Sequence, residues 1–513
     1  MLYNVKIPMR RWLHIFSPEK AFLFLGLIYG MIILVITPPF QVPDESNHFF
    51  RAYQVSEGHF IPEKKLPPLL TRDEEEKRDM EIADEMRILY AKGDPSLLEV
   101  FHVLRDNGGI GGLLPKSLVE IAQPFFRLLH RENRQSVRDT VILFHHPLKS
   151  KDRVFIHFPN TSLYSPVPYL PQAIGIALGR TFNLSPLALM YSGRITNLLV
   201  WIFLIYLAIK YVPVCKWVFF LLALMPMSLY QAASLSADSF TFGLSFLLVS
   251  FFLRYSVAQK NGTTMNVSDV FIIFALSLLL SLSKQAYFLM PLLFLLIPRE
   301  TFGSSKKYYI IFLLIFLTNF GAIVCWTLTV DIYKDIYSFY RLLFMPNLSA
   351  EGQLSYLFSH SSEYCRTLIT TYVQKGGFYV DTFVGQLGWL DTPLPELVRI
   401  SYLGMLVVAA LFEGREGISI SLKQKVIIIT TLILSVTLIS TLAYIGWSPV
   451  GSNIILDIQG RYFIPLSPLF FLLFYNGKLH RFIAGIALQV AVVCYSLFSL
   501  TYMGFTIVSR YYV

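Results

Sequence analysis

Apolar runs close to the length that crosses ~30 Å of hydrocarbon recur through most of this chain, which restricts it to a bundle of membrane-spanning helices. Composition agrees: the 513 residues are 54% hydrophobic and only 15% charged, with a mean hydropathy of +0.55. The formal net charge of +10 would suggest a nucleic-acid partner in a soluble chain. Here most Lys and Arg sit in short segments between apolar runs, as orientation signals do, and no basic-aromatic nucleic-acid module is present. Membrane lipid is the expected partner and nucleic acid is not. Cys215, Cys325, Cys365 and Cys494 are dispersed, with neither a disulfide framework nor metal-type spacing.

The basic N-terminus precedes an apolar run that ends in Pro-Pro-Phe-Gln-Val-Pro rather than at a small-residue cleavage site, so the sequence predicts an uncleaved first span. Spans are expected near 191-211, 217-235, 238-256, 269-283, 286-298, 307-330, 396-412, 425-447, 461-476 and 482-507, eleven with the first. The stretch 165-182 is short and Pro-rich, which suits a helix lying in the outer interface. The expected fold is thus an all-α integral membrane protein, N-terminus inside and C-terminus outside. Its parts are a cytoplasmic segment 1-20, a first helix 21-38, an extracytoplasmic loop 39-190, spans two to seven in 191-330, a second outer loop 331-395, and spans eight to eleven in 396-513. Within the first loop a charged amphipathic helix is expected around 71-93, followed by a flexible Gly-rich connection at 108-112. With this parity the inner loops hold the Lys and Arg from Lys210 to Arg481, whereas the short outer loops hold only Lys284 and Arg461. Those two exceptions need a reason.

Ionisable residues at the outer ends of spans are costly and usually face a cavity or one another. They comprise Asp44, Glu45, His48 and Arg51 after the first span, Asp238 between two spans, Lys284 and Gln285 in a turn, and Asp457, Gln459 and Arg461 before the tenth. In a helix after Pro43, Asp44, His48 and Arg51 would share one face. Carboxylates beside Lys and Arg suggest chemistry on a lipid-linked phosphate: cations hold the leaving group and Asp44 or Glu45 activates the nucleophile. Asp238 could position the acceptor or a cation, or simply cap its helix. A hard cation such as Mg²⁺ or Mn²⁺ would suit Asp44 and Asp238, but cationic side chains could replace it, so metal use stays open at this point. Trp389 and Asp391 could contact an acceptor or form a structural turn. His145 and His146 are adjacent, so their side chains diverge and make a poor metal pair, and the triplet Asn160-Thr161-Ser162 matches the glycosylation pattern only by short chance.

PPFQVPDESNHFFRAYQVSEG, SPVPYLPQAIG, SLSADSFTFG, SKQAYFLMPLL, GQLGWLDTPLP and QGRYFIPLSP together resemble the bacterial polytopic family carried as domain of unknown function 2142. That family is similar to the type C glycosyltransferase superfamily, with about eleven to thirteen spans, a large outer loop after the first, and an early acidic residue there. The resemblance implies transfer of a sugar from a polyprenyl-phosphate carrier to a cell-surface glycan or glycolipid at the outer face of the bacterial cytoplasmic membrane. Asp44 or Glu45 matches the acidic position, and His48, Arg51, Asp238, Lys284, Gln285, Trp389, Asp391, Gln459 and Arg461 would bind substrate. The rival reading is a transporter or flippase of lipid-linked saccharides, which should carry ionisable residues through the middle of several spans.

Overall fold

The computed structural model describes residues 17–65, 109–129, 133–257, 265–331, 347–414, 417–483 and 485–513, with positions 77, 81 and 84. The expected charged helix near 71-93 falls almost wholly outside the described residues. The helices that frame the bundle and the site include α1 (Pro18–Ile36), α2 (Glu45–Ser56), α3 (Leu170–Thr181), α4 (Pro186–Tyr211), α5 (Asp238–Ser256), α6 (Val267–Ser283), α7 (Ser305–Val330), α8 (Glu396–Phe412), α9 (Leu422–Trp447) and α10 (Gly485–Tyr511). Six of these, α1, α4, α5, α7, α9 and α10, are long and apolar enough to cross a membrane. The chain is a predominantly helical membrane protein.

The remaining expected spans are helical but shorter or broken. Residues 216-232 form two pieces, Lys216–Leu224 and Pro226–Ala232, because Pro226 lacks the N–H that would continue the ladder. After α6 the chain turns at Lys284, extended at φ −154°, and continues as 3₁₀ turns, Gln285–Tyr287 and Met290–Leu296, in a stretch bearing Pro291 and Pro298. Tyr308 at the start of α7 donates to the Phe294 carbonyl at 3.3 Å, so this segment runs back along the bundle before α7 begins. The same device recurs at Gly460–Leu466, a 3₁₀ segment containing Pro465, followed by the short helix Ser467–Leu472. Gly460 is required there: a Cβ would stand 1.9 Å from the Tyr379 carbonyl oxygen.

One expectation for the loop after α2 is corrected. The Gly-rich stretch is not a flexible connection. Its described part forms the centre of a small three-stranded antiparallel sheet, β1 (Glu63–Lys65), β2 (Gly109–Pro115) and β3 (Arg153–His157), beside the predominantly helical bundle. Glycine permits this close packing, since a Cβ on Gly111 would meet the Ile156 carbonyl oxygen at 1.8 Å and one on Gly112 the Gln54 amide at 2.6 Å. Between α7 and α8 lie the helices Ala350–Ser359 and Ser361–Val384; the latter packs along Gly460–Leu466.

One apolar core runs through the bundle, with α4 at its centre against α1, α3 and α5. The outer sides of α7 and α9 instead expose residues such as Leu314, Leu317, Leu328 and Ile433, as helices facing lipid do. Along α3, Leu170, Ile174, Leu178 and Phe182 are exposed at four-residue spacing, the stripe expected of an interfacial helix.

Candidate functional site

A cavity of about 730 Å³ lies at one end of the bundle. It is lined by the start of α2, the first residue of α5, the last turns of α6, α7 and α9, and the two 3₁₀ segments. Asp44, His48, Asp238, Lys284, Gln285, Asp457, Gln459 and Arg461 all open into it. They come from segments far apart in sequence, Asp44 near one end of the chain and Arg461 near the other, because each stands at or near the end of an element and these ends lie together.

Asp44 does not extend the helix; it precedes it, with φ 60° and ψ 12° in the left-handed region that Asp tolerates better than most residues. This geometry turns its carboxylate out of the α2 helical series and into the cavity. Asn160 donates from Nδ2 to Asp44 Oδ1 at 2.8 Å, and Asn47 donates in turn to Asn160 Oδ1 at 2.7 Å. The carboxylate is therefore oriented through one oxygen. Burial raises the Asp44 carboxyl above the usual carboxylate range against the opposing pull of Arg461 and of the Asn160 hydrogen bond. Asp457, also left-handed at φ 62°, lines the cavity and is exposed. Desolvation by the protein around the cavity, with the Asp44 charge adding to it, raises its carboxyl to about 6.

Asp238 carries the cations. Lys284 Nζ lies 3.1 Å from Asp238 Oδ1, and Arg461 Nε lies 3.5 Å from Asp238 Oδ2. The Lys284 ammonium also sits 4.0 Å from the centroid of the Tyr462 ring, a cation–π contact that fixes its position. Gln285 Nε2 donates to Thr327 Oγ1 at 3.3 Å, and Gln459 Oε1 has no hydrogen-bond partner among the described residues. His48 bonds Tyr169 through Nδ1 at 2.9 Å; burial lowers its imidazole to about 3, so it stands in the cavity as a neutral ring.

Four residues singled out from the sequence lie elsewhere. Glu45, fully buried, accepts from Arg194 Nε at 2.8 Å and Nη2 at 2.6 Å, and from the Phe40 and Leu235 amides at 2.9 and 3.1 Å. Arg194 extends the lock to the carbonyls of Leu34, Thr37 and Pro38, satisfying the otherwise orphaned end of α1. Arg51 does not share a cavity face with Asp44 and His48, because Asp44 precedes the helix; it donates to Gln54 Oε1 at 2.6 Å and to the Phe60 carbonyl at 2.7 Å. Trp389 donates to the Phe40 carbonyl at 3.2 Å, and Asp391 pairs with Arg510 at 3.0 Å. The turn containing them ties the segment before α8 to the end of α1 and to α10, and does not line the cavity.

Sequence reasoning passed over Arg194 and Asn160. Arg194 was detectable, since a guanidinium inside an apolar span demands a partner. Asn160 stood in the triplet set aside as a chance glycosylation match; Thr161 beside it donates to the Asn47 carbonyl at 3.1 Å, so the triplet is tied to α2 rather than displayed. Among the described residues no group of three or more His, Cys, Asp or Glu is arranged to hold a metal ion.

No curated protein and no solved structure matches the chain. A family model described as a predicted membrane protein, DUF2142, matches residues 129–470, two thirds of the sequence. That span contains Asn160, Asp238, Lys284, Asp457 and Arg461, whereas Asp44 and His48 precede it. The chain belongs to the DUF2142 family of predicted membrane proteins.

Proposed function

We propose that this protein is an integral membrane glycosyltransferase that moves a sugar from a polyprenyl-phosphate carrier to a cell-surface glycan or glycolipid at the outer face of the bacterial cytoplasmic membrane. The observation that carries the reading is one cavity in which a carboxylate held by Asn160 faces the same space as Lys284 and Arg461.

The acceptor hydroxyl oxygen attacks the anomeric carbon as the bond from that carbon to the carrier phosphate oxygen breaks, and the bonding pair leaves on phosphate. Asp44 takes the hydroxyl proton, a role for which a carboxyl raised above the ordinary range is better suited than an ordinary one. Arg461 and Lys284 stabilise the departing anion electrostatically. No general acid is required, because phosphate leaves as an anion. Asp238 offsets one of the two positive charges, and Asp44, anionic as the base, offsets the other, so the site suits a singly charged phosphodiester better than a diphosphate. Mg²⁺ or Mn²⁺ fits this donor set poorly, since Asp238 is already paired with two cations; the proposed steps use the protein's own side chains. His48 and Gln459, which line the same cavity, would contact the sugar.

The polar groups gather at one end of the bundle rather than along the span middles, which favours this reading over a transporter path. A deletion strain tests it: the carrier-linked sugar should accumulate and one sugar should be lost from the surface glycan. Unchanged carrier pools with an unchanged glycan would end the proposal. Loss of the whole glycan with its carrier-linked precursor trapped at the inner face would favour a flippase.

A further inference from the structure

Asp457 lines the cavity and takes no part in the steps above. Its neighbours fix its place: Ile455 N donates to Thr371 Oγ1 at 3.0 Å, Gly460 N to Thr382 Oγ1 at 2.7 Å, and Leu456 N to Ser448 Oγ at 3.1 Å. The first two bonds tie the segment to the helix Ser361–Val384, and the third folds it over the end of α9. Trp447 and Asp457 stand next to that third bond, one on either side, and both line the cavity. Among the described residues the Asp457 carboxylate makes no hydrogen bond and no ion pair. Two residues on, Gln459 Oε1 is a buried acceptor that a ligand N–H or O–H would complete.

We propose that Asp457, flanked by Trp447, receives a protonated primary amine on the acceptor, so that the protein selects an amine-bearing molecule to glycosylate. The inference rests on the glycosyltransferase reading and names the chemistry of its acceptor. Charge carries it. Lys284 and Arg461 are drawn to Asp238, and Asp44 offsets what remains of them, so an ionised Asp457 leaves the cavity negative before any ligand enters. A phosphodiester donor adds a second negative charge, in a space whose other wall, with Ile323, Val330, Ile439 and Leu442, is apolar and screens little. A hydroxyl would satisfy the Asp457 oxygens and leave both charges standing, whereas an ammonium satisfies them and offsets one. The Trp447 ring beside it offers the kind of face that attracts such a cation. The amine belongs to the acceptor because, in a single displacement, the attacking oxygen and the leaving phosphate lie on opposite sides of the anomeric carbon. Asp457 goes with the base, since the Asp44 charge acts on it more strongly than that of Arg461 or Lys284.

The test uses the purified protein in nanodiscs and two pairs of soluble probes. Methyl glucosaminide and aminoethyl glucoside carry the amine on the sugar ring or on a substituent; methyl N-acetylglucosaminide and hydroxyethyl glucoside are their neutral counterparts. At least one amine should bind about tenfold tighter than its counterpart, the difference between a charged and a neutral hydrogen bond, and the tighter amine tells which of the two positions the site reads. Asp457→Asn keeps the shape and tolerates the left-handed backbone, and should bring each amine to within about twofold of its counterpart. A saturating C10 isoprenyl monophosphate should leave amine binding in place or tighten it, since its charge adds to the attraction. Equal binding within both pairs, or a preference that survives in Asp457→Asn, would overturn the proposal while leaving the transfer reading intact. Displacement of the amine by the C10 probe would overturn the acceptor assignment, and displacement by Mg²⁺ would make a metal ion the occupant and overturn the amine. A C10 probe that fails to bind while the amine preference holds would overturn the transfer reading and, with it, the acceptor role.

Discussion

Asp44 and Glu45 are neighbours in sequence and opposites in circumstance. Glu45 has no exposed surface; both its oxygens are engaged by Arg194, and two backbone amides complete the shell. Asp44, one residue earlier, has one carboxylate oxygen held by Asn160 and opens into a cavity. A buried charge whose hydrogen bonds are complete has nothing left to offer a substrate, and its role is to fix the backbone around it. An incompletely satisfied carboxylate facing a cavity keeps its reactivity at the expense of some stability. The left-handed conformation of Asp44 separates the two roles, because it points adjacent side chains into different compartments.

The sharpest test of this contrast is to neutralise each carboxylate. Asp44→Asn should reduce transfer by ~10²–10⁴-fold, the usual worth of a general base, with expression and thermal unfolding unchanged. Glu45→Gln should do the reverse, destabilising the fold by about 3–5 kcal/mol through the stranded Arg194 guanidinium. The double change Glu45→Leu with Arg194→Met should recover much of that stability, as expected for a coupled pair replaced by apolar groups. A stable, inactive Glu45→Gln protein with an active Asp44→Asn counterpart would exchange the two roles.

Smaller effects should refine the open half of the comparison. Arg461→Ala should weaken donor binding by about 1.5–3 kcal/mol, and Arg461→Lys should restore only part of it, since lysine keeps the charge and loses the fork. Asn160→Ala should lower kcat about tenfold with donor affinity little changed, because it frees the Asp44 carboxylate to rotate rather than removing it. The gentlest probe is pH. Asp457 gains its negative charge as pH rises through about 6, so binding of a phosphodiester donor should weaken severalfold between pH 5 and 7. In Asp457→Asn that step should vanish. A step persisting in the variant would assign the titration to another group.

What could be read in advance divides along physical lines. The positions of the helices were legible because an apolar run of twenty residues has few alternatives, whereas breaks at Pro226, Pro291 and Pro465 changed their form rather than their place. The cavity residues were legible for a related reason: Lys284, Asp238 and Arg461 are charges at helix ends in a chain that otherwise avoids them. Arg51, Trp389 and Asp391 looked the same from the sequence, yet their partners, such as the Phe60 carbonyl and Arg510, are fixed only by tertiary contacts. The sheet was hidden because glycine carries no hydrophobic alternation; its strand exists through close backbone approach to β3 and Gln54.

The pair formed by Glu45 and Arg194 also sets an order of events during synthesis. The two residues are 149 positions apart. At the ~5–20 residues per second of translation, Glu45 waits roughly 7–30 s before its partner is even made. Throughout that interval the end of α1 lacks the guanidinium that later binds its carbonyls, and the Asp44 turn has no anchor beside it. Asp44 therefore acquires its final setting only once α4 has joined α1, so a nascent chain cannot present a finished cavity before its membrane core has begun to close.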